Sequence, residues 1–177
     1  MTQQNDLKTA RADFIEKMGI LAQIDGMPRI AGRLFAMLVF DGRRYSFSEL
    51  AEALQVSRAS VSTNVRLLQD REVIRRVALP GDRQDYFELG EAPYQRLLRG
   101  AALRAGRSRA SIEETLAELP ECDVDLVQRL RDYAGLYAAI ETSVTSALDS
   151  LTTAQADRPR RRASLSPRVA SVTSVEE

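Results

Sequence analysis

Ser46-Phe47-Ser48-Glu49-Leu50-Ala51-Glu52-Ala53-Leu54 is followed by Gln55-Val56-Ser57-Arg58, a second helical run, Val73 to Leu79, Pro80-Gly81-Asp82-Arg83, and Gln84 to Leu89. Ser46 suits a helix cap, and Glu49 three residues on can reach back to the cap amide. Leu50, Ala53 and Leu54 then form an apolar stripe at helical spacing. Gln55-Val56 leaves a short turn before Ser57, whose hydroxyl can accept from the free amides of a new helix. In that helix Val61, Val65 and Leu68 share one face. Val73, Ile74, Val77 and Leu79 favour extended backbone, as do Tyr86 and Phe87 on the return, and Pro80-Gly81-Asp82 is a strong turn signal. Two capped helices and a hairpin in this order predict a winged helix-turn-helix within a mainly helical chain, with a small β-hairpin as the wing.

The face of the second helix opposite the valines suggests its chemistry. It carries Ala59, Ser62, Thr63 and Arg66, with Ser57, Arg58 and Ser60 in the first turn. Small and hydroxylic side chains with arginine suit close approach to phosphates and base edges of double-stranded DNA. A merely solvated face more often carries glutamate and lysine, and neither occurs from Ser57 to Gln69. Gly81 and Arg83 fall at the hairpin tip, where a cation can enter a narrow minor groove. The plainer reading of Arg83 is a solvated surface arginine. Asp82 either orients that guanidinium or serves the turn.

Overall charge is neutral, with 25 basic and 25 acidic residues. Residues 28–89 hold ten arginines, no lysine and eight acids, a net +2, whereas 90–151 hold seven arginines and ten acids, a net −3. The contrast agrees with a nucleic-acid partner for the first segment without requiring it. No histidine and one cysteine exclude a histidine-based triad, a His/Cys zinc site and an internal disulfide. Neither a metal nor a cofactor is expected. Cys122 lies between Glu121 and Asp123, which disfavour a reactive thiolate, so an incidental thiol is preferred to a redox switch. No acid-base or nucleophile constellation points to an enzyme, and Glu113, Glu114 and Glu141 read as solvated helix faces.

The flanking segments suggest pairing of two chains. From Leu126 the apolar positions are Leu126, Leu130, Tyr133, Tyr137, Ile140, Val144, Ala147 and Leu151, with Leu148 beside them, in intervals that alternate four and three. Such a seam calls for a partner helix. A second subunit and the N-terminal helix around Phe14, Met18 and Leu21 are both expected to supply one. Pro93 suits the first turn of a connector helix with Leu97, Leu98 and Ala101 on its apolar face. Gly106 and Ser108 are expected to bend or interrupt it, and Ser111 with Glu114 repeats the capping-box pattern. Residues 1–27 are thus assigned to a dimerisation helix, 28–90 to the winged domain, 91–151 to connector and dimer helices, and 152–177 to a disordered basic tail. Its Arg158, Arg160, Arg161 and Arg162 either add salt-sensitive DNA affinity or are merely solvated. A polar N-terminus and the absence of any run near the ~20 apolar residues of a bilayer span predict a cytoplasmic protein without a membrane partner.

Gly26-Met27-Pro28-Arg29-Ile30-Ala31-Gly32-Arg33-Leu34, Ser57-Arg58-Ala59-Ser60-Val61-Ser62 and Pro80-Gly81-Asp82-Arg83-Gln84-Asp85-Tyr86-Phe87 together resemble the GbsR-type branch of the MarR transcriptional regulators. The layout is also similar to mycobacterial MarR-like efflux-pump repressors. The resemblance covers about Met18 to Leu89 and extends to the other helices by arrangement only. It implies a homodimer that binds DNA and answers to a small-molecule effector it does not identify. A pocket for that effector is expected among apolar residues of the connector, dimer and N-terminal helices. Choline-sensing relatives would put Tyr133 and Tyr137 against a cationic ligand, although their seam positions favour core packing.

Two classes of function follow. One is a ligand-responsive transcriptional regulator, a repressor that sits as a homodimer on a pseudo-palindromic promoter element. The other is an architectural winged-helix DNA-binding protein without an effector.

Overall fold

In the computed structural model, residues 2–120 and 124–156 are described. Six helices and three short strands follow in the order α1 (Thr2–Ile24), α2 (Arg29–Asp41), β1 (Tyr45–Ser46), α3 (Phe47–Leu54), α4 (Arg58–Asp70), β2 (Ile74–Ala78), β3 (Asp85–Leu89), α5 (Pro93–Glu118) and α6 (Val124–Ala156). The expected architecture is present, with the helix pair at α3 and α4 and the wing at β2 and β3. Its third strand, β1, pairs antiparallel with β3 in the sheet order β1-β3-β2, placing Tyr45 opposite Phe87 and Ser46 opposite Tyr86. Cys122 and the basic run from Arg158 to Arg162 lie outside the described residues.

Apolar periodicity decides how the winged body closes. Leu34, Met37 and Leu38 of α2, Leu50 and Leu54 of α3, and Val61, Val65 and Leu68 of α4 are fully or almost fully buried with Val73, Ile74 and Phe87. Phe47 meets Phe87 edge to face at 4.8 Å, a favoured aromatic geometry that ties α3 to the sheet. Ala53 departs from expectation and faces solvent, because the buried stripe of α3 runs through Phe47, Leu50, Ala51 and Leu54 instead. On α4 Asn64 is also buried, and its Nδ2 donates to Ser60 O at 2.7 Å.

Helix α1 lies on α2 rather than along α6, so the expected pairing of the N-terminal helix with the seam does not occur within the chain. Its apolar Phe14 meets Phe40 at 5.7 Å between ring centroids. The two helices cross at small residues, and a Cβ on Gly32 would collide with the Cβ of Ala22, so only glycine allows this approach. Glu16 flanks the crossing with ion pairs to Arg29 (2.8 Å) and Arg33 (2.6 Å).

The partner of α6 inside the chain is α5, along which it runs back. Helix α5 is continuous from Pro93, its first-turn proline, to Glu118, so Gly106 and Ser108 do not interrupt it and Ser111 caps no helix start. A glycine costs a helix about 1 kcal/mol, and tertiary contact offsets that here, since Glu141 of α6 sits against Gly106 and pairs with Arg109 at 3.3 Å. Helix α6 also runs five residues past Leu151. Thr152 and Thr153 donate to the carbonyls of Leu148 and Asp149, so residues 152–156 of the segment expected to be a disordered tail are helical.

Candidate nucleic-acid interface

The helix pair is held by the caps its sequence announces. Glu49 N donates to Ser46 Oγ at 3.3 Å while Ser46 N donates to Glu49 Oε2 at 2.7 Å, a complete capping box. Gln55 ends α3 in the left-handed region (φ 54°), which turns the chain sharply into α4. Ser57 then caps α4, accepting from Ser60 N at 3.1 Å, with the two hydroxyls 3.0 Å apart. Ser57 and Ser60 are therefore engaged with each other, and Ser60 is half-buried.

Burial of Val61, Asn64, Val65 and Leu68 leaves the predicted reading face outward. Arg58, Ala59, Ser62, Thr63 and Arg66 are all exposed. Thr63 Oγ1 donates to Ala59 O at 3.1 Å, which leaves its oxygen free only as an acceptor. Arg58 Nη2 donates to Ser48 Oγ at 2.6 Å, so its guanidinium is held between the first turns of α3 and α4. Phe47, Ser48, Arg58, Ser62, Gln84 and Asp85 line one open cleft between this helix pair and the base of the wing. Ser48 and Gln84 were not singled out from sequence, because their nearness to Arg58 depends on the α3–α4 crossing and not on spacing along the chain.

The wing tip resolves the two readings of Asp82. Asp82 N donates to Leu79 O at 3.1 Å across Pro80-Gly81, and Gly81 takes φ +83°, the value a type II turn requires at that position. The Asp82 carboxylate accepts from Tyr86 Oη (2.7 Å) and Gln84 N (2.9 Å), and these bonds hold it below the usual carboxylate range. It serves the turn, with the Arg83 backbone amide also bonding it, and among the described residues the Arg83 guanidinium has no ion pair or hydrogen bond.

Pairing sorts the arginines of this segment. Arg29 and Arg33 share Glu16, Arg43 pairs with Glu49, Arg44 and Arg75 share Glu88, and Arg76 pairs with Asp85. Arg71 donates to Met27 Sδ. Among the described residues of 28–89, the other arginines without a carboxylate partner are Arg58, Arg66 and Arg83, one on each part of the reading surface. Arginine pairs readily with phosphate in a bidentate fork, so unpaired guanidiniums at a helix start, a helix face and a hairpin tip are suited to a duplex. No group of three His, Cys, Asp or Glu among the described residues could hold a metal, and no described helix is long and apolar enough to cross a membrane.

The seam residues of α6 separate into two edges. Leu130, Tyr137, Val144 and Leu148 are half-buried, as is Leu126, whereas Tyr133, Ile140, Ala147 and Leu151 are exposed. Tyr133 and Tyr137 meet edge to face at 5.2 Å with hydroxyls 3.1 Å apart. Leu136 on α6 and Ile20, Leu21 and Ile24 on α1 are likewise exposed, Ile24 by 75 %. A groove between the end of α4 and α5 is lined by Leu97 and Leu103, by Arg71, Arg96, Arg99, Arg104 and Arg107, and by Asp70 and Glu72, the last paired with Arg96; it does not involve α6 or α1, where the apolar pocket is expected.

A capped helix pair, an exposed cationic helix face and an arginine-tipped wing define a winged-helix DNA-binding protein. The family model described as "MarR family" matches residues 25–85. The chain is 36 % identical over 143 residues to the HTH-type transcriptional regulator MmpR5 of Mycobacterium tuberculosis (strain ATCC 25618 / H37Rv), covering 77 % of this chain and 83 % of the relative. It is 28 % identical over 89 residues to the HTH-type transcriptional repressor OpcR of Bacillus subtilis (strain 168), covering 50 % of this chain and 48 % of that one. A crystal structure of a transcriptional regulator superposes with a TM-score of 0.70 at 31 % identity, covering 81 % of this chain and 99 % of the other. The chain belongs to the MarR family. It is a DNA-binding transcription regulator, not an enzyme, and the match is to the family rather than to its GbsR-type branch.

Proposed function

We propose that the protein is a homodimeric, ligand-responsive repressor that covers a pseudo-palindromic promoter element. The observation that carries this reading is that Arg58 and Arg66 on α4 and Arg83 at the wing tip are all exposed and free of carboxylates. In this reading Ser57, Arg58, Ala59, Ser60, Ser62, Thr63, Arg66, Gly81 and Arg83 form the DNA contact. Helix α4 enters the major groove and Arg83 reaches the adjacent minor groove.

Dimerisation is supported by the apolar edges left uncovered on α1 and α6. Two copies joined there would set their α4 helices about 34 Å apart, one helical turn of DNA. OpcR, similar over half of this chain, is a transcriptional repressor, in agreement with the sign of regulation proposed here. An effector that settles beside α5 would meet the groove of Leu97, Leu103 and five arginines, at the root of the hairpin that joins head to dimer. Splaying of the heads would then release the element.

Footprinting on DNA flanking the protein's own gene tests the proposal. A protected, two-fold symmetric element is the expected result. Uniform coating without a boundary would favour an architectural role instead.

A further inference from the structure

Tyr45 stands where three parts of the molecule meet. Its ring is buried, its backbone pairs with Phe87 of wing strand β3, and the next residue, Ser46, caps α3. Its hydroxyl donates to Asp41, the last residue of α2. The same carboxylate accepts two bonds from Arg11 of α1, Nε to Oδ1 at 2.7 Å and Nη2 to Oδ2 at 2.6 Å, and Arg11 Nη2 lies 3.4 Å from Tyr45 Oη. Arg43 stacks over the Tyr45 ring at 3.6 Å and reaches Glu49 of the capping box at 3.0 Å. An unbroken set of contacts therefore leads from α1 to the start of the helix-turn-helix and to the inner strand of the wing.

The position of Arg11 gives this set its mechanical sense. Helix α1 is pinned to α2 where Gly32 meets Ala22 and Gly19, and the Glu16 ion pairs and the Phe14–Phe40 contact hold it further toward its N-terminus. Arg11 is eight residues from Gly19, about 12 Å along the helix, the farthest of these ties and so the one with the longest lever on the angle between the helices. The forked, two-bond geometry of Arg11 on Asp41 is directional in a way a lysine contact is not.

We propose that Tyr45, locked by Asp41 and Arg11, is the positioning joint that sets the angle of the DNA-reading head on α1 and thereby which half-site spacing the dimer accepts. The proposal rests on the two-headed reading above. A stiff joint makes a misplaced half-site costly, whereas a soft one lets the head swivel to it. Tyr45→Phe removes one hydroxyl and keeps the packed ring. Arg11→Gln removes the fork from a helix surface and leaves the core intact, so it remains informative if the first variant folds poorly.

The test uses the full chain and a duplex it selects from a randomised pool, compared with duplexes whose half-sites are one base pair closer or farther apart and with a single half-site. Each variant is expected to narrow the affinity ratio between best and altered spacing about threefold to tenfold, the effect of one directional hydrogen bond. Half-site affinity should stay within about twofold of the parent, beneath the loss of a single such bond. An unchanged ratio in a folded Arg11→Gln dimer overturns the proposal, as does a half-site affinity that falls in step with the ratio. A parent chain that is monomeric, or that shows no spacing preference, overturns the two-headed reading itself and this proposal with it.

Discussion

Arg58 and Ser48 join the two helices of the DNA-reading unit, with Arg58 Nη2 donating to Ser48 Oγ at 2.6 Å across ten residues of sequence. An exposed arginine ordinarily samples many rotamers, and a duplex must restrain it on binding. Ser48 imposes part of that restraint in advance. Ser48→Ala should weaken binding to a specific duplex by about 1 kcal/mol, roughly fivefold, with thermal stability unchanged. Fluorescence anisotropy beside a melting curve checks this, and equal affinity would show that the pre-set rotamer does not matter.

Arg66 and Arg83 should fail differently. Arg66 lies on the exposed face of α4, and Arg66→Ala should cost about 1–3 kcal/mol on the selected duplex with far less effect on random DNA. Arg83 at the wing tip should act mainly through charge, so Arg83→Ala should lower both affinities together and reduce the salt slope by about 1. Titrations of both variants at several salt concentrations separate the two patterns.

Acid should loosen the head before the rest of the fold. Burial opposes ionisation of Asp41 and Glu49, but hydrogen bonds from Arg11 and Tyr45 to the first, and from Ser46 and Arg43 to the second, outweigh it and hold both carboxyls below their ordinary values. Hydrogen bonding from Arg29 lowers Glu16 similarly. A lowered folded value means stability that is complete above the unfolded value and is lost as pH falls through the folded one. The denaturant midpoint should hold steady above the ordinary carboxylate range of about pH 4 and drop below it. Asp41→Asn should flatten that drop while lowering the neutral-pH midpoint.

Ile140 tests the seam more cleanly than Tyr137, because Tyr137 is half-buried against its own chain whereas Ile140 is 39 % exposed. Ile140→Asp should raise the dimer dissociation constant by about two orders of magnitude, since an unpaired carboxylate would enter an apolar contact. Light scattering across a dilution series reads the change, and helical content should remain. A dimer of undiminished affinity would remove α6 from the interface.

The winged unit was legible because each of its boundaries carries a local chemical mark. Ser46 with Glu49, Ser57, and Pro80-Gly81 act through neighbours three residues away or fewer, and all appear where those marks place them. Helix α2 bears a readable signal in Ala31, Leu34, Met37 and Leu38 at helical spacing. The continuity of α5 could not be read at Gly106, because the contact with Glu141 that offsets the glycine comes from 35 residues away. Ser48, Tyr45 and Asp41 were invisible for the same reason, since their roles exist only once α1, α3 and α4 are packed. The heptad rhythm of α6 announced a partner helix, expected from a second subunit and from the N-terminal helix, but within the chain α5 took one of its two edges.

The internal pairing of most arginines in the winged body has a consequence for how the protein is shared out in a cell. Bulk DNA retains a protein in proportion to the counterions it displaces, and among the described residues of the winged body few guanidiniums free of a carboxylate are left to displace them. As far as the winged body decides it, little of the protein would be stored on random sequence, and a larger share would remain free to exchange with its targets. A small number of copies could keep a few promoters filled, and their release would empty those sites quickly because there is no large reservoir to refill them.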